Sequence, residues 1–386
     1  MNKCNKPTEK PFSPYFGSGP CKKHPLWGWD ALKSSALSRS HRSKVGLEKL
    51  QTLIGKTRDV LRIPDGYKIA IMPGGATGAT ESLMWCLLGE RPLDAVIWDV
   101  FGGNWLKDLE EQLHLKNLNV YEQKNNAFDE FHKIDFRHDV LVVWNGSTTG
   151  MCPQDGHWIA DDRKGLVLCD ATSAAFAVPL PWDKFDAVSF SWQKALGSEG
   201  GHGMVVLSPR AIKRLETYEP SWPIPRVLRM AKGCVVNEGI FDGYTLNTPS
   251  MMCVEDMLDA LQWAENIGGL SELCYRTEQN HKIVEHWVQS NDRFQFLVGQ
   301  DRMRSRVTAC LVPSDAAYHE LSWGQQHDVI KKIAMILEAE GVAFDVKGHL
   351  RSKACIRVWC GPTIEQMDLE KLLPWIAWAY DESKAD

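Results

Sequence analysis

Six short apolar runs, each followed by glycine or polar sequence, restrict this chain more than any other feature. They are "YKIAIMPGG" (67–75), "LDAVIWDV" (93–100), "HDVLVVWNGSTTG" (138–150), "KGLVLCDATS" (164–173), "FDAVSFSWQK" (185–194) and "GGHGMVVLSP" (200–209). Helical sequence falls between the first of them, as "GATESLMWCLLG" (78–89) and "NWLKDLEEQLHL" (104–115). Continuous apolar runs fit strands covered on both faces, and strands alternating with helices fit a mostly parallel α/β sheet.

Beyond Pro209 the rhythm changes. "RVLRMAKG" (226–233) and "TLNTPSMMCVEDMLDALQWAENIGG" (245–269) read as helical, the second after a loop. From about Leu270 a second α/β portion follows, with "HKIVEHWVQS", "DVIKKIAMILEAEG" and "DLEKLLPWIAWAY" as helices and "RSRVTACLVP" and "KACIRVWCG" as strands. The expected division is an N-terminal arm over 1–20, a large domain over 21–265 and a smaller C-terminal domain over 266–386. The polar, proline-containing opening "MNKCNKPTEKPFSPYFGSGP" reads as a flexible arm or as an extended segment laid on the domain.

Composition excludes more than it selects. A net charge of −5, with both signs mixed along the chain, argues against a nucleic-acid binder. No run of about 18 apolar residues is present, so no membrane span is expected. The eleven cysteines are scattered and form no CxxC pair, which points to reduced thiols, no metal site and a cytoplasmic protein.

In an open parallel sheet, ligands bind beyond the carboxyl ends of the strands. Four runs end in "PGGAT", "NGSTT", "DATS" and "WQK", so those ends would meet at one crevice. The glycine turn before the first helix would leave the N–H groups of Ala76 and Thr77 free for a phosphate; the plain alternative is a tight turn with Thr77 as cap. Asp170 would hold a protonated ring nitrogen or a metal, or cap the segment after it. Lys194 would be a surface lysine, or a desolvated amine of the kind that forms Schiff bases with carbonyls. The 24 positions between Asp170 and Lys194 suit one strand–loop–strand step, which would put both in one pocket. Phosphate site, acid and amine together describe a site for pyridoxal 5′-phosphate.

With "GGNW", "CDATS" and "SWQKALG" added, the chain resembles the fold-type I, class V aminotransferases, along nearly its whole length from "FGSGP" to the last helix. "SHRSK" and "LNTPS" make it similar to the phosphoserine aminotransferase family, and "SWQKALGSEGGHG" with "IRVWCG" resembles its archaeal and alpha-proteobacterial branch. The resemblance implies a PLP-dependent transferase fold with a seven-stranded large-domain sheet. It also implies a homodimer with shared active sites that moves an amino group from L-glutamate to 3-phosphohydroxypyruvate in serine biosynthesis, with a possible second use in pyridoxine biosynthesis. Lys194 would bind the cofactor as an imine and shuttle the proton. Gln193 would contact the cofactor, Asp170 its pyridine nitrogen and Trp105 its ring face. Ser147 or Thr148 would bond the ring hydroxyl. Asn247 and Thr248 would reach the cofactor phosphate of the other subunit. His41 and Arg42, also lent across the dimer, would hold the substrate phosphate. His349 and Arg351 resemble a second phosphate-binding pair, and Arg357 resembles the clamp on the α-carboxylate. His202 has no role on this reading and is expected to be a loop residue. The alternatives are another class V enzyme, such as an alanine–glyoxylate or serine–glyoxylate aminotransferase, and a non-catalytic phosphate-ligand module.

Overall fold

The computed structural model describes residues 4–384. Helix α1 (Lys44–Leu61) leads into β1 (Lys68–Pro73), α2 (Gly75–Leu87), β2 (Leu93–Ile97), α3 (Val100–Lys107), β3 (Leu118–Glu122) and β4 (Asp139–Val143). Then come β5 (Val167–Asp170), β6 (Ala187–Ser191), β7 (His202–Leu207) and α4 (Pro209–Thr217). A small ribbon, β8 (Ala231–Lys232) with β9 (Val235–Val236), precedes the long helices α5 (Met251–Asn266) and α6 (Leu270–Ser290). The chain ends through β10 (Phe294–Phe296), β11 (Thr308–Pro313), α7 (Ala316–Glu320), α8 (Trp323–Ala339), β12 (Ile356–Trp359) and α9 (Gln366–Ser383).

The large sheet has seven strands in the order β1-β7-β6-β5-β4-β2-β3. All its pairings are parallel except those of β7, which is antiparallel to both neighbours. Every residue of β2, β4, β5, β6 and β7 is buried, as their unbroken apolar sequence requires. Parallel strands deliver Pro73, Val143, Asp170 and Ser191 to one edge. Because β7 runs the other way, it begins at that same edge: His202 pairs with Pro73, and Gly203 with Ser191. The second sheet, β10-β11-β12, is antiparallel throughout. No helix among the described residues is long and apolar enough to cross a membrane.

One predicted helix changes. Residues 226–233 form a turn and the strand β8, not a helix. Leu228 and Met230 are the buried pair there, a spacing of two that suits extended chain, and Pro225 and Gly233 bracket the segment. For the opening segment, the second of the two readings holds from Cys4 onward: it is an extended segment laid on the domain. Cys4 N–H and Phe12 N–H donate to Asp381 and Asp368 of α9 at 2.7 Å each, and Trp375 Nε1 donates to the carbonyl of Glu9 at 2.7 Å. Phe344 N–H bonds the carbonyl of Pro14 at 2.8 Å, and Trp359 N–H that of Phe16 at 3.0 Å. The segment therefore runs along the small sheet and arrives at residues 17–20 beside the crevice.

Candidate active site

Asp170 closes β5 opposite Ser189 of β6, and Lys194 follows three residues past the end of β6. The aspartate is buried. Its two oxygens accept from Trp105 Nε1 at 3.1 Å and from Thr172 N–H at 2.9 Å. Burial pushes its carboxyl above the usual range, against the pull of those donors and of Lys194. Burial likewise holds the Lys194 amine below an ordinary lysine, and the Arg357 guanidinium adds to the shift. Among the described residues Nζ makes one hydrogen bond, to the carbonyl of Ser18 at 2.5 Å. The strap of residues 17–20 thus passes directly over the lysine. Gly19 makes this possible: a Cβ there would lie 2.3 Å from Nζ.

Across the crevice, Gly74 caps α2 in the left-handed region, φ +81°, with no side-chain cap. Ala76 and Thr77 therefore present first-turn N–H groups that no helix carbonyl can meet. Thr77 lies inside the helix and is not its cap. Around these groups lies a cavity of about 460 Å³, within the roughly 300–1,000 Å³ span of small-molecule sites. Ala76, Thr77 and Gln193 line it toward the glycine turns, and Trp105, Ser147, Asp170 and Lys194 line the rest. Trp105 is held there by α3, which Asp99 caps through Gly102 N–H at 2.9 Å. Thr148 does not line the cavity; its hydroxyl accepts from Val100 N–H at 3.1 Å.

Arg357 reaches the same edge from the small sheet. Nη1 donates to the carbonyl of Ser147 at 3.3 Å and Nη2 to that of Lys347 at 3.4 Å, while Nε is buried without a partner. Among the described residues no carboxylate pairs with it, unlike buried Arg214, which Asp139 neutralises at 2.9 Å. A guanidinium left this way is suited to an anion from outside the chain.

The other expected residues lie apart. His349 Nδ1 accepts from Arg351 N–H at 3.2 Å, and Arg351 Nη2 donates to Asn104 Oδ1 at 3.0 Å. Arg351 lines a neighbouring cavity of about 520 Å³ with Asp99 and Trp323. His41 is buried with Nε2 unpartnered; Arg42, Asn247 and Thr248 are exposed, and none of the four lines the Lys194 cavity of its own chain. His202 is not a loop residue. It is the buried first residue of β7, stacked on Trp192.

Some contributors escaped sequence reasoning. Asn145 is buried at the end of β4, where Nδ2 donates to Ser173 Oγ at 3.0 Å and Oδ1 accepts from Ser305 Oγ at 2.5 Å, tying the crevice to the small sheet. Thr172 lines the cavity with a buried, unpartnered hydroxyl. The glycines of "FGSGP" were the signal for the strap.

The residues present fit pyridoxal 5′-phosphate. Gln193 Oε1 and Thr172 Oγ1 are buried polar atoms with no partner among the described residues. The free head of α2 suits a phosphate, the buried acid a protonated ring nitrogen and the depressed amine an aldehyde.

Comparison with known proteins agrees. No protein-family model matches the chain. The phosphoserine aminotransferase of Methanosarcina barkeri is 44% identical over 376 residues, covering 97% of this chain and 99% of that protein. Among solved structures, a phosphoserine aminotransferase from Cytophaga hutchinsonii superposes with a TM-score of 0.79 at 20% identity, over 94% of this chain and 98% of that one. A PLP-bound phosphoserine aminotransferase from Trichomonas vaginalis gives 0.71 at 17% identity, over 94% and 99%. The two structures establish the shared fold, and the full-length relationship to the archaeal enzyme establishes descent: the chain belongs to the phosphoserine aminotransferase family.

Proposed function

We propose that the protein is a pyridoxal 5′-phosphate-dependent transaminase that converts L-glutamate and 3-phosphohydroxypyruvate into 2-oxoglutarate and O-phospho-L-serine. The observation that carries this reading is the buried Lys194 amine, bonded among the described residues only to a backbone carbonyl, in one cavity with buried Asp170 and the free head of α2. A phosphate-binding module has no use for such an amine.

Lys194 would hold the cofactor covalently, Asp170 its ring nitrogen and Trp105 its ring face. Ser147 is assigned to the ring hydroxyl, because the Thr148 hydroxyl is already engaged by Val100. Ala76, Thr77 and Gln193 take the phosphate side. When bound, pyridoxal 5′-phosphate supplies an electron sink for the charge left on the substrate Cα. Once the amino donor has displaced it from the cofactor, Lys194 Nζ, its basicity lowered by burial, would take the proton from Cα of the donor, and would return one to Cα of the acceptor in the second half. The strap at Gly19 keeps bulk water from that nitrogen. Arg357 orients the α-carboxylate through its paired N–H groups.

The substrate phosphate is assigned to two arginine–histidine pairs. Burial, then the Arg351 charge and then that of Arg357 hold the His349 ring below its ordinary pKa, so His349 feels both arginines. His41 and Arg42, with Asn247 and Thr248, are read as serving the cavity of a second copy, so the working unit is a homodimer. Residues 1–20 then act as a strap-bearing arm, 21–265 as the cofactor domain and 266–386 as the domain that carries Arg357.

Borohydride reduction followed by peptide mass spectrometry tests the cofactor assignment, with the pyridoxyl group expected on Lys194 and on no other lysine. A coupled assay of L-glutamate against 3-phosphohydroxypyruvate, glyoxylate and pyruvate tests the substrate. Equal rates on all three would refute phosphate recognition, and absence of fixation would refute the enzyme.

A further inference from the structure

His202 is left without a task by the chemistry above, yet it stands where three parts of the cofactor site meet. Across the ladder its partner is Pro73, next to the Gly74 cap of α2. The preceding residue, Gly201, accepts Gly75 N–H at 3.2 Å. The imidazole stacks on Trp192, two residues before Lys194, with centroids 4.7 Å apart and planes 16° from parallel. Its Nε2 accepts the N–H of Ser250 at 3.1 Å. Ser250 caps α5 and directly follows Asn247, Thr248 and Pro249.

Packing alone does not call for a histidine here. A phenylalanine would stack on Trp192 equally well. The histidine also buries Nδ1 with no partner, and an unmet polar atom in the interior costs stability. Accepting the Ser250 N–H requires an unprotonated Nε2, hence a neutral ring, and burial, which lowers the ring's pKa, acts in the same direction. A neutral ring that accepts at Nε2 carries its proton on Nδ1, the nitrogen with nothing to bond. What histidine adds over phenylalanine is therefore one thing, an acceptor for the Ser250 N–H.

We propose that His202 is a positioning residue for cofactor binding. Through Nε2 it pins the 247–250 loop to the start of β7, and so holds that loop in fixed relation to the lysine loop and the head of α2. The inference rests on the reading in which Asn247 and Thr248 reach the cofactor phosphate of a second copy. Loss of the pin then loosens a phosphate contact without touching Lys194.

The test titrates the full-length apo-protein, in its native assembly, with pyridoxal 5′-phosphate, and measures hydrogen exchange across residues 245–252. His202→Phe keeps the stack and loses the acceptor. Its affinity should fall about fivefold to tenfold, the size of one lost neutral hydrogen bond, and Ser250 exchange should accelerate. His202→Gln, which retains an acceptor oxygen, should recover most of both. Ser250→Pro removes the same bond from the other side, at a φ of −76° that proline tolerates, and should reproduce the loss even if the phenylalanine variant folds poorly. Wild-type affinity and exchange in both His202→Phe and Ser250→Pro overturn the inference alone, as does an equal loss in the phenylalanine and glutamine variants. A wild-type chain that takes up no pyridoxal 5′-phosphate overturns the inference together with the functional reading.

Discussion

A single methyl group at residue 19 tests whether the strap over Lys194 governs the chemistry. Gly19 has φ +144°, and a Cβ built there lies 2.3 Å from Lys194 Nζ, 2.9 Å from Cε and 3.2 Å from Cδ. Ordinary contact begins at 3.4 Å, so the amine is about 1 Å too close. Either the strap lifts or the lysine retreats. The strap is tied on both sides, by the Phe16 carbonyl to Trp359 N–H at 3.0 Å and by Cys21 N–H to the Gln193 carbonyl at 2.9 Å. The lysine end is the softer part, so in Gly19→Ala it gives way and leaves the Ser18 carbonyl. Misplacing a reacting group by about 1 Å costs on the order of 100-fold in rate. The positive φ adds backbone strain of about 1–3 kcal/mol. The expected outcome is a kcat reduced about 100-fold at saturating pyridoxal 5′-phosphate, with a melting temperature lower by a few degrees. Steady-state kinetics and calorimetry on one preparation read both. A kcat within twofold of wild type refutes the argument, and if stability alone falls, the strap moved and the lysine did not.

Three further outcomes follow from the same geometry. Asp170→Asn keeps an acceptor for Trp105 Nε1 but removes the charge that would hold a ring nitrogen protonated; cofactor content should persist while single-turnover rate with L-glutamate falls at least about 100-fold. Arg357→Lys loses the paired N–H fork, and KM for L-glutamate should rise about 10- to 100-fold with a smaller change in kcat. His281 is fully buried with both ring nitrogens unpartnered, and burial, reinforced by Arg306 and Arg304, lowers its pKa to about 3. Below about pH 6.5 the unfolded chain binds a proton that the native ring refuses, so this group's contribution to stability falls as pH drops from about 6.5 toward 3, by about 1.4 kcal/mol per unit. His281→Phe should therefore gain about 2 kcal/mol over wild type on going from pH 8 to pH 5, checked by urea unfolding at both; an equal difference at the two pH values refutes it.

What was legible in the sequence depended on where each contact is made. Asp170 and Lys194 could be paired because strands buried on both faces are unbroken apolar runs, and the polar residue that ends each run marks the sheet edge. The strap could not be placed that way. Its bonds span 176 residues to Lys194 and 377 from Cys4 to Asp381, and they are made by backbone groups that every sequence carries. Only the glycines at 17 and 19 hinted that other chain segments come close. The residues assigned to phosphate across the dimer were nameable only by resemblance, since exposed Arg42, Asn247 and Thr248 do not line the cavity of their own chain. His202 is the instructive miss, because its signal was present and unused. Ten residues separate the end of β6 from the start of β7, fewer than the dozen or so that a parallel crossover needs. The connection must therefore turn back, β7 must run antiparallel, and its first residue must return to the edge where Lys194 sits. The length of one glycine-rich loop, rather than any property of imidazole, is what moves residue 202 from a bystander in a loop to a member of the frame around the site.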